Sequence, residues 1–114
     1  MSESVIDPSA FNGLKEVGGA DFINELIDTF LDDAPKLTDE LTAARRANDA
    51  DSFRRAAHSM KSNAATFGAR HLAELAKELE MLGKENKLEE TADRLKALEE
   101  AVKSACDELE GLKS

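Results

Sequence analysis

The stretch Ser52–His71 reads SFRRAAHSMKSNAATFGARH, and its apolar residues Phe53, Ala56, Ala57, Met60, Ala64 and Phe67 recur at steps of three and four. That is the spacing of one buried helical stripe. Winding the segment at 100° per residue puts His58 about 150° from the middle of the stripe, on the solvent side. Its neighbours one turn away are Arg54, Arg55, Lys61 and Ser62, with Ala65 two turns on. An exposed imidazole thus sits among cations and small side chains, which holding helices together does not require. The segment contains Arg54, Arg55, Lys61 and Arg70 and no acidic residue, in a chain with 24 acidic residues and a net charge of −9. A basic island in an acidic protein points to a small anionic target, such as one phosphoryl group or an acidic pocket on a partner.

The same periodicity continues on both sides of the segment. Asp7-Pro8 reads as a helix cap followed by proline at the first helical position, and Phe11, Leu14 and Val17 mark a short helix over 8–17 that Gly18-Gly19 ends. Phe22, Ile23, Leu26, Ile27, Phe30, Ala34, Leu37, Leu41 and Ala44 predict a long helix over 20–48, with a kink or break just before Pro35. Asp51 or Asp49 opens the His58 helix, expected over 51–67, and Gly68 is a good residue to stop it. Leu72, Leu75, Ala76, Leu79 and Leu82 then predict a helix over 69–83, packed back on the His58 helix as a tight antiparallel hairpin. A loop at 83–87 precedes a last helix over 88–112, with Leu88, Ala92, Leu95, Leu98, Val102, Ala105, Leu109 and Leu112 on one face. No strand pattern competes. The expected fold is all-α: one domain over 1–114, an up-down-up-down antiparallel four-helix bundle with a short N-terminal lid helix.

Composition narrows the function. The negative charge argues against nucleic acid and against anionic membrane surfaces. Cys106 is the sole cysteine and cannot form a disulfide within the chain. The start, MSESVIDPSAF, has no basic stretch followed by an apolar core, and no apolar run approaches membrane-spanning length. The cytoplasm is the default location and a monomer the expected state.

His58 with Lys61 is the sharpest chemical candidate. Neutral imidazole is a good nucleophile near pH 7. Phosphorylation of a ring nitrogen gives a dianion that needs a cation nearby, which Lys61 one turn on can supply. From spacing alone an ordinary solvent-facing histidine with incidental cations fits equally well. His71 is expected at the edge of a buried stripe rather than as a second acceptor, and has Glu74 where a lysine would be needed. The residues three before the two histidines are Arg55 and Gly68, so no inward Glu-x-x-His pair suggests a di-metal bundle. Cys106 reads as a packing residue. No glycine-rich nucleotide loop is present, so the chain does not make its own phosphoryl donor.

Ala57-His58-Ser59-Met60-Lys61-Ser62, Phe67-Gly68-Ala69, Leu72-Ala73-Glu74-Leu75 and Leu79-Glu80 together resemble the pattern of histidine-containing phosphotransfer (HPt) domains of two-component phosphorelays. The upstream stretch Phe22 to Leu41 is similar to the helix that precedes this core in many members, so the resemblance covers almost the whole chain. It implies that His58 is the phosphoacceptor, through its Nε2, that Lys61 stabilises the phosphoryl group, and that Gly68 is the hairpin-turn glycine. Ser62 and Asn63 depart from the commonest residues at their positions. Ser62 is still small, and Asn63 is expected to make a hairpin contact away from the site. Arg54, Arg55, Ser62 and Ala65 would form the partner-docking surface, the arginines by steering acidic partners and the small residues by leaving room. The implied partners are response-regulator receiver domains and a hybrid histidine kinase, with Mg²⁺ on the receiver and no cofactor or metal bound by this chain. Two rivals remain: the phosphoacceptor domain of a chemotaxis-type kinase, and a helical adaptor bundle without phosphate chemistry.

Overall fold

The helix ends set the architecture. The computed structural model describes residues 6–113, which form α1 (Pro8–Arg46), α2 (Ala50–Thr66), α3 (Arg70–Lys84), a 3₁₀ turn (Leu88–Glu90) and α4 (Ala92–Leu112). The first three helices close in the same way. Asn48, Gly68 and Asn86 take positive φ of 56°, 68° and 58°. At each, the next amide reaches back to a carbonyl in the last helical turn: Asp49 to Ala44 at 2.9 Å, Ala69 to Ala64 at 2.9 Å, Lys87 to Leu82 at 2.8 Å. This is the Schellman ending, which satisfies orphan carbonyls and turns the chain sharply. Asp7 and Asp49 cap the starts of α1 and α2 by accepting from the amides of Ser9 and Ser52 at 2.9 and 3.1 Å.

Short turns make sequential helices antiparallel, and the packing closes into a ring in which α2 touches α1 and α3 while α4 touches α3 and α1. Ile23, Ile27, Phe30, Leu41, Phe53, Met60, Leu72, Leu79, Leu98 and Leu109 fill the interior. Phe30 and Phe67 meet edge to face with ring centroids 5.7 Å apart. Thr91 is wholly buried yet satisfied: its hydroxyl donates to the Leu88 carbonyl at 2.6 Å and accepts from Arg45 Nε at 3.0 Å.

The all-helical four-helix bundle is as expected, with four differences in detail. The break at Gly19 (φ 80°, ψ −176°) falls where the short first helix is expected to end, but the kink expected just before Pro35 is absent and the helix continues through it. Pro35 is exposed, at a recess between α1 and α4, and removes one amide donor, that to the Leu31 carbonyl, from a helix otherwise held by its own ladder and by packing on both sides of that point. The long helix stops at Arg46 rather than 48, because Asn48 is the left-handed residue of the ending. Gly83 does not open a loop: it is buried inside α3, which runs to Lys84. The last α-helix begins at Ala92, since Leu88 belongs to the 3₁₀ turn and is buried from there.

The short arm of α1 before Gly19 covers the α2–α3 turn as the expected lid. Phe11 and Ile6 are buried, and the Ile6 amide donates to Glu108 Oε2 at 3.0 Å. A Cβ at Gly68 would lie 2.5 Å from Asp7 Cβ and 2.9 Å from Ala10 Cβ, in a backbone conformation that already penalises one. Gly68→Ala is therefore expected to lower the unfolding free energy by about 2 kcal/mol or more. Gly13→Ala, where a Cβ meets nothing within 4 Å, should raise it by about 0.5–1 kcal/mol. Urea denaturation of both variants checks this, and equal midpoints for Gly68→Ala and the parent would contradict it.

Candidate functional site

The buried face of α2 is Phe53, Ala56, Ala57, Met60 and Ala64, and His58 stands opposite with 59% of its side chain exposed. Arg55, Ser62 and Ala65 are exposed on the same side, and Arg54 and Lys61 are half-buried toward α3. The helical period thus brings all six predicted residues of α2 to one surface. Gly68 lies at the end of the helix, remote from them in the α2–α3 turn.

What the pattern of α2 does not contain is Glu80. Small residues let α3 come close to α2: a Cβ at Gly83 would lie 3.1 Å from the Phe53 ring and 3.3 Å from Arg54 Cα. In an antiparallel pair, that contact places Glu80, one turn before Gly83, beside His58, one turn after Arg54. Glu80 Oε2 lies 2.8 Å from His58 Nδ1, and Lys61 Nζ donates to Glu80 Oε1 at 2.7 Å. One carboxylate therefore spans the nucleophile and its cation. Its side chain is 19% exposed and that of Lys61 33%. The Lys61 ammonium holds the Glu80 carboxyl below the usual carboxylate range, outweighing the opposing effect of partial burial, and the bond to His58 adds to it.

The ionised carboxylate can only accept, so Nδ1 of a neutral His58 must carry the proton. Nε2 then holds the lone pair. A histidine in this state is a nucleophile whose reactive nitrogen is fixed by its neighbour.

The other cations of the segment are also paired, by carboxylates outside it. Asp51 accepts from Arg54 at 3.0 Å and from Arg55, and Asp7 accepts from Arg70 at 3.1 Å. The arginines hold the Asp51 carboxyl below its usual range. The basic island of the sequence is thus largely compensated in three dimensions. Asn63 is half-buried but lines a recess with Leu26, Thr29 and Phe30 of α1, not the hairpin partner α3. His71 is exposed in the first turn of α3, not at the edge of the buried stripe, because that stripe begins at Leu72. Cys106 is half-buried, and burial pushes its thiol up. Among the described residues no group of His, Cys, Asp and Glu is placed to hold a metal ion, and no helix is long and apolar enough to cross a membrane.

Known proteins are similar to this chain in sequence and in fold. A sequence model of the family described as Hpt domain matches residues 25–111. The sensor protein TorS of Escherichia coli (strain K12) is 30% identical over 79 residues, which is 69% of this chain and 9% of that protein. The chain therefore spans a small part of the length of that relative. The crystal structure of histidine-containing phosphotransfer protein B (HptB) from Pseudomonas aeruginosa PAO1 superposes with a TM-score of 0.92 at 28% identity, covering 98% of this chain and 96% of that one.

The Glu80 bridge makes two expectations. Nitrogen-15 NMR at neutral pH should show His58 in the Nδ1–H form, and Glu80→Ala should mix the two tautomers; mixed tautomers in the parent protein would contradict the bridge. Because the Glu80 carboxyl is lowered in the fold, its contribution to stability is complete above the unfolded value of about 4.3 and is lost as pH falls through the lower folded value. Glu80→Gln should therefore flatten the loss of stability measured by urea denaturation between about pH 5 and pH 3.

Proposed function

Because the chain belongs to the Hpt domain family, the histidine phosphotransfer carriers of two-component signalling, we propose that His58 is its phosphoacceptor and that it relays a phosphoryl group between receiver domains. The observation that carries this assignment is the Glu80 contact at Nδ1, which leaves Nε2 as the free nucleophile on an exposed ring.

The Nε2 lone pair attacks the phosphorus of a receiver's aspartyl phosphate. The N–P bond forms as the P–O bond to the aspartyl carboxylate breaks, and the aspartate leaves as its anion. The ring becomes a phospho-imidazolium, and its positive charge faces the Glu80 carboxylate through Nδ1–H. Glu80 thus favours the charge that develops on the ring in the transition state, from a position set before the partner arrives. The reverse sequence passes the group to a second aspartate.

Lys61 is held by Glu80 in the resting protein. A phosphoryl dianion on Nε2 presents twice the charge of the carboxylate, and the flexible lysine stem lets the ammonium turn toward it. This reserve of positive charge offsets part of the repulsion met by an incoming dianion. The receiver supplies the rest, including Mg²⁺ held by its own carboxylates, so this chain needs no cofactor or metal. ATP chemistry stays with an upstream kinase, and the likeness to a segment of a sensor protein supports a hybrid kinase in that role. A single copy suffices, since His58, Lys61 and Glu80 come from one chain. Arg54 and Arg55, with the small Ser62 and Ala65, form the surface over which a receiver closes.

Mixing the protein with a receiver charged by acetyl phosphate and Mg²⁺ should add one phosphoryl group by intact mass, lost in acid and kept in alkali. His58→Gln should take up none, and Lys61→Ala should slow transfer by about 10- to 100-fold. Labelling only by a histidine kinase with ATP would favour the kinase-substrate role, and labelling by neither would leave the adaptor bundle.

A further inference from the structure

Beside His58, on its α3 side, the two hairpin helices leave a cleft of about 370 Å³ lined by Arg54, Lys61, Lys77, Glu80, Met81 and Lys84. Its cations come as two pairs, each two turns apart: Arg54 and Lys61 on α2, Lys77 and Lys84 on α3. Four cations face the single carboxylate of Glu80, which is already engaged by Lys61 and His58. Arg54 is paired with Asp51, but neither Lys77 nor Lys84 has an ion pair among the described residues. At the lip stands Met81, 53% exposed, on a helix whose other apolar residues are buried or half-buried.

The core does not need this stripe, although Lys84 in the last turn of α3 complements the helix dipole. Lys77, Met81 and Lys84 are exposed, off the buried face of α3, and none of them packs in the core. In a protein of net charge −9, a cleft of positive sign next to the nucleophile is a local attractor for acidic surfaces. The overall negative charge repels a polyanionic strand of nucleic acid. A methionine among lysines suits a partner that offers both carboxylates and an apolar side chain, since methionine adapts to irregular neighbours.

We propose that the α2–α3 cleft, with Lys77, Met81 and Lys84 as its outer wall, seats the acidic rim of the receiver domain beside its phospho-aspartate. This rests on the carrier role given above. A receiver must gather carboxylates to hold Mg²⁺, so the surface around its reacting group is acidic, and the cleft presents the opposite sign beside His58, whose ring contacts the Glu80 that lines it. The docking surface is therefore lopsided: it extends from α2 onto α3, where the unpaired cations are, rather than resting on the compensated Arg54 and Arg55 alone.

The test is the rate of phosphoryl transfer from a receiver charged with acetyl phosphate and Mg²⁺, measured against salt for three proteins. These are the parent, Lys77→Glu/Lys84→Glu, and Lys96→Glu/Lys103→Glu. The last carries the same charge change at the same spacing on exposed positions of α4, across the bundle from α2. The cleft variant should transfer about tenfold more slowly or worse at low ionic strength, through a raised half-saturating receiver concentration, and should approach the parent as salt rises. The α4 variant should stay within about twofold of the parent. Parental rates in the cleft variant, or an equal loss in the α4 variant, would overturn the cleft while leaving the carrier role standing. A parent protein that accepts no phosphoryl group from any receiver would overturn both.

Discussion

The bridge from Glu80 to His58 and Lys61 is the contact on which the chemistry of this bundle depends. A carboxylate at 2.8 Å from Nδ1 and 2.7 Å from the lysine ammonium fixes which ring nitrogen is free and keeps a cation next to it. Those two consequences need the same atom positions, so they stand or fall together. The bridge in turn requires α2 and α3 to lie close, which Gly83 permits by having no side chain to place against Phe53 and Arg54. It also requires the hairpin register, which Gly68 sets by taking a conformation closed to most residues while the lid arm packs over it.

The energetics separate what holds the fold from what performs the reaction. Each large core side chain such as Phe53 or Leu79, fully buried, contributes about 1.5–3 kcal/mol. A partly exposed ion pair contributes about 1 kcal/mol or less. Glu80 is therefore a poor investment for stability alone. Its value lies in orienting an imidazole and in stabilising charge that appears only when Nε2 has given up its lone pair. The core carries the fold, which leaves the exposed side of α2 and the outer face of α3 free to be specified by partners.

Much of this was legible in the residues. Steps of three and four apolar residues located all the helices, and the phase of α2 put His58, Lys61, Ser62 and Ala65 on solvent-facing ground. Helix ends were harder. Gly83 looked like a loop residue because glycine breaks helices more often than it packs them, and only the neighbouring helix shows why it belongs inside one. Asn86 ends α3 instead, through a left-handed conformation that asparagine tolerates. Pro35 promised a break, yet the helix runs through it, because the buried residues on either side, Phe30, Ala34, Leu41 and Ala44, hold both halves against the core. Glu80 was missed as a partner of His58 because helical neighbours are counted within a helix, and this contact crosses a hairpin. The signal was present: His58 and Glu80 lie at equal residue distance on either side of Ala69, in the turn between the two helices. The basic island misled for a similar reason, since the carboxylates that balance it, Asp7, Asp51 and Glu80, lie outside the stretch in which the charges were counted.

The most direct measurement is phosphorus–proton and nitrogen NMR on the phosphorylated protein, to identify which nitrogen of His58 bears the phosphoryl group. A Glu80 carboxylate that holds the proton on Nδ1 predicts phosphorylation at Nε2, with the Nδ1 resonance still perturbed by the carboxylate. A phosphoryl group on Nδ1 would mean that the bridge opens before reaction and does not direct it, and the account of the site would fail at its centre.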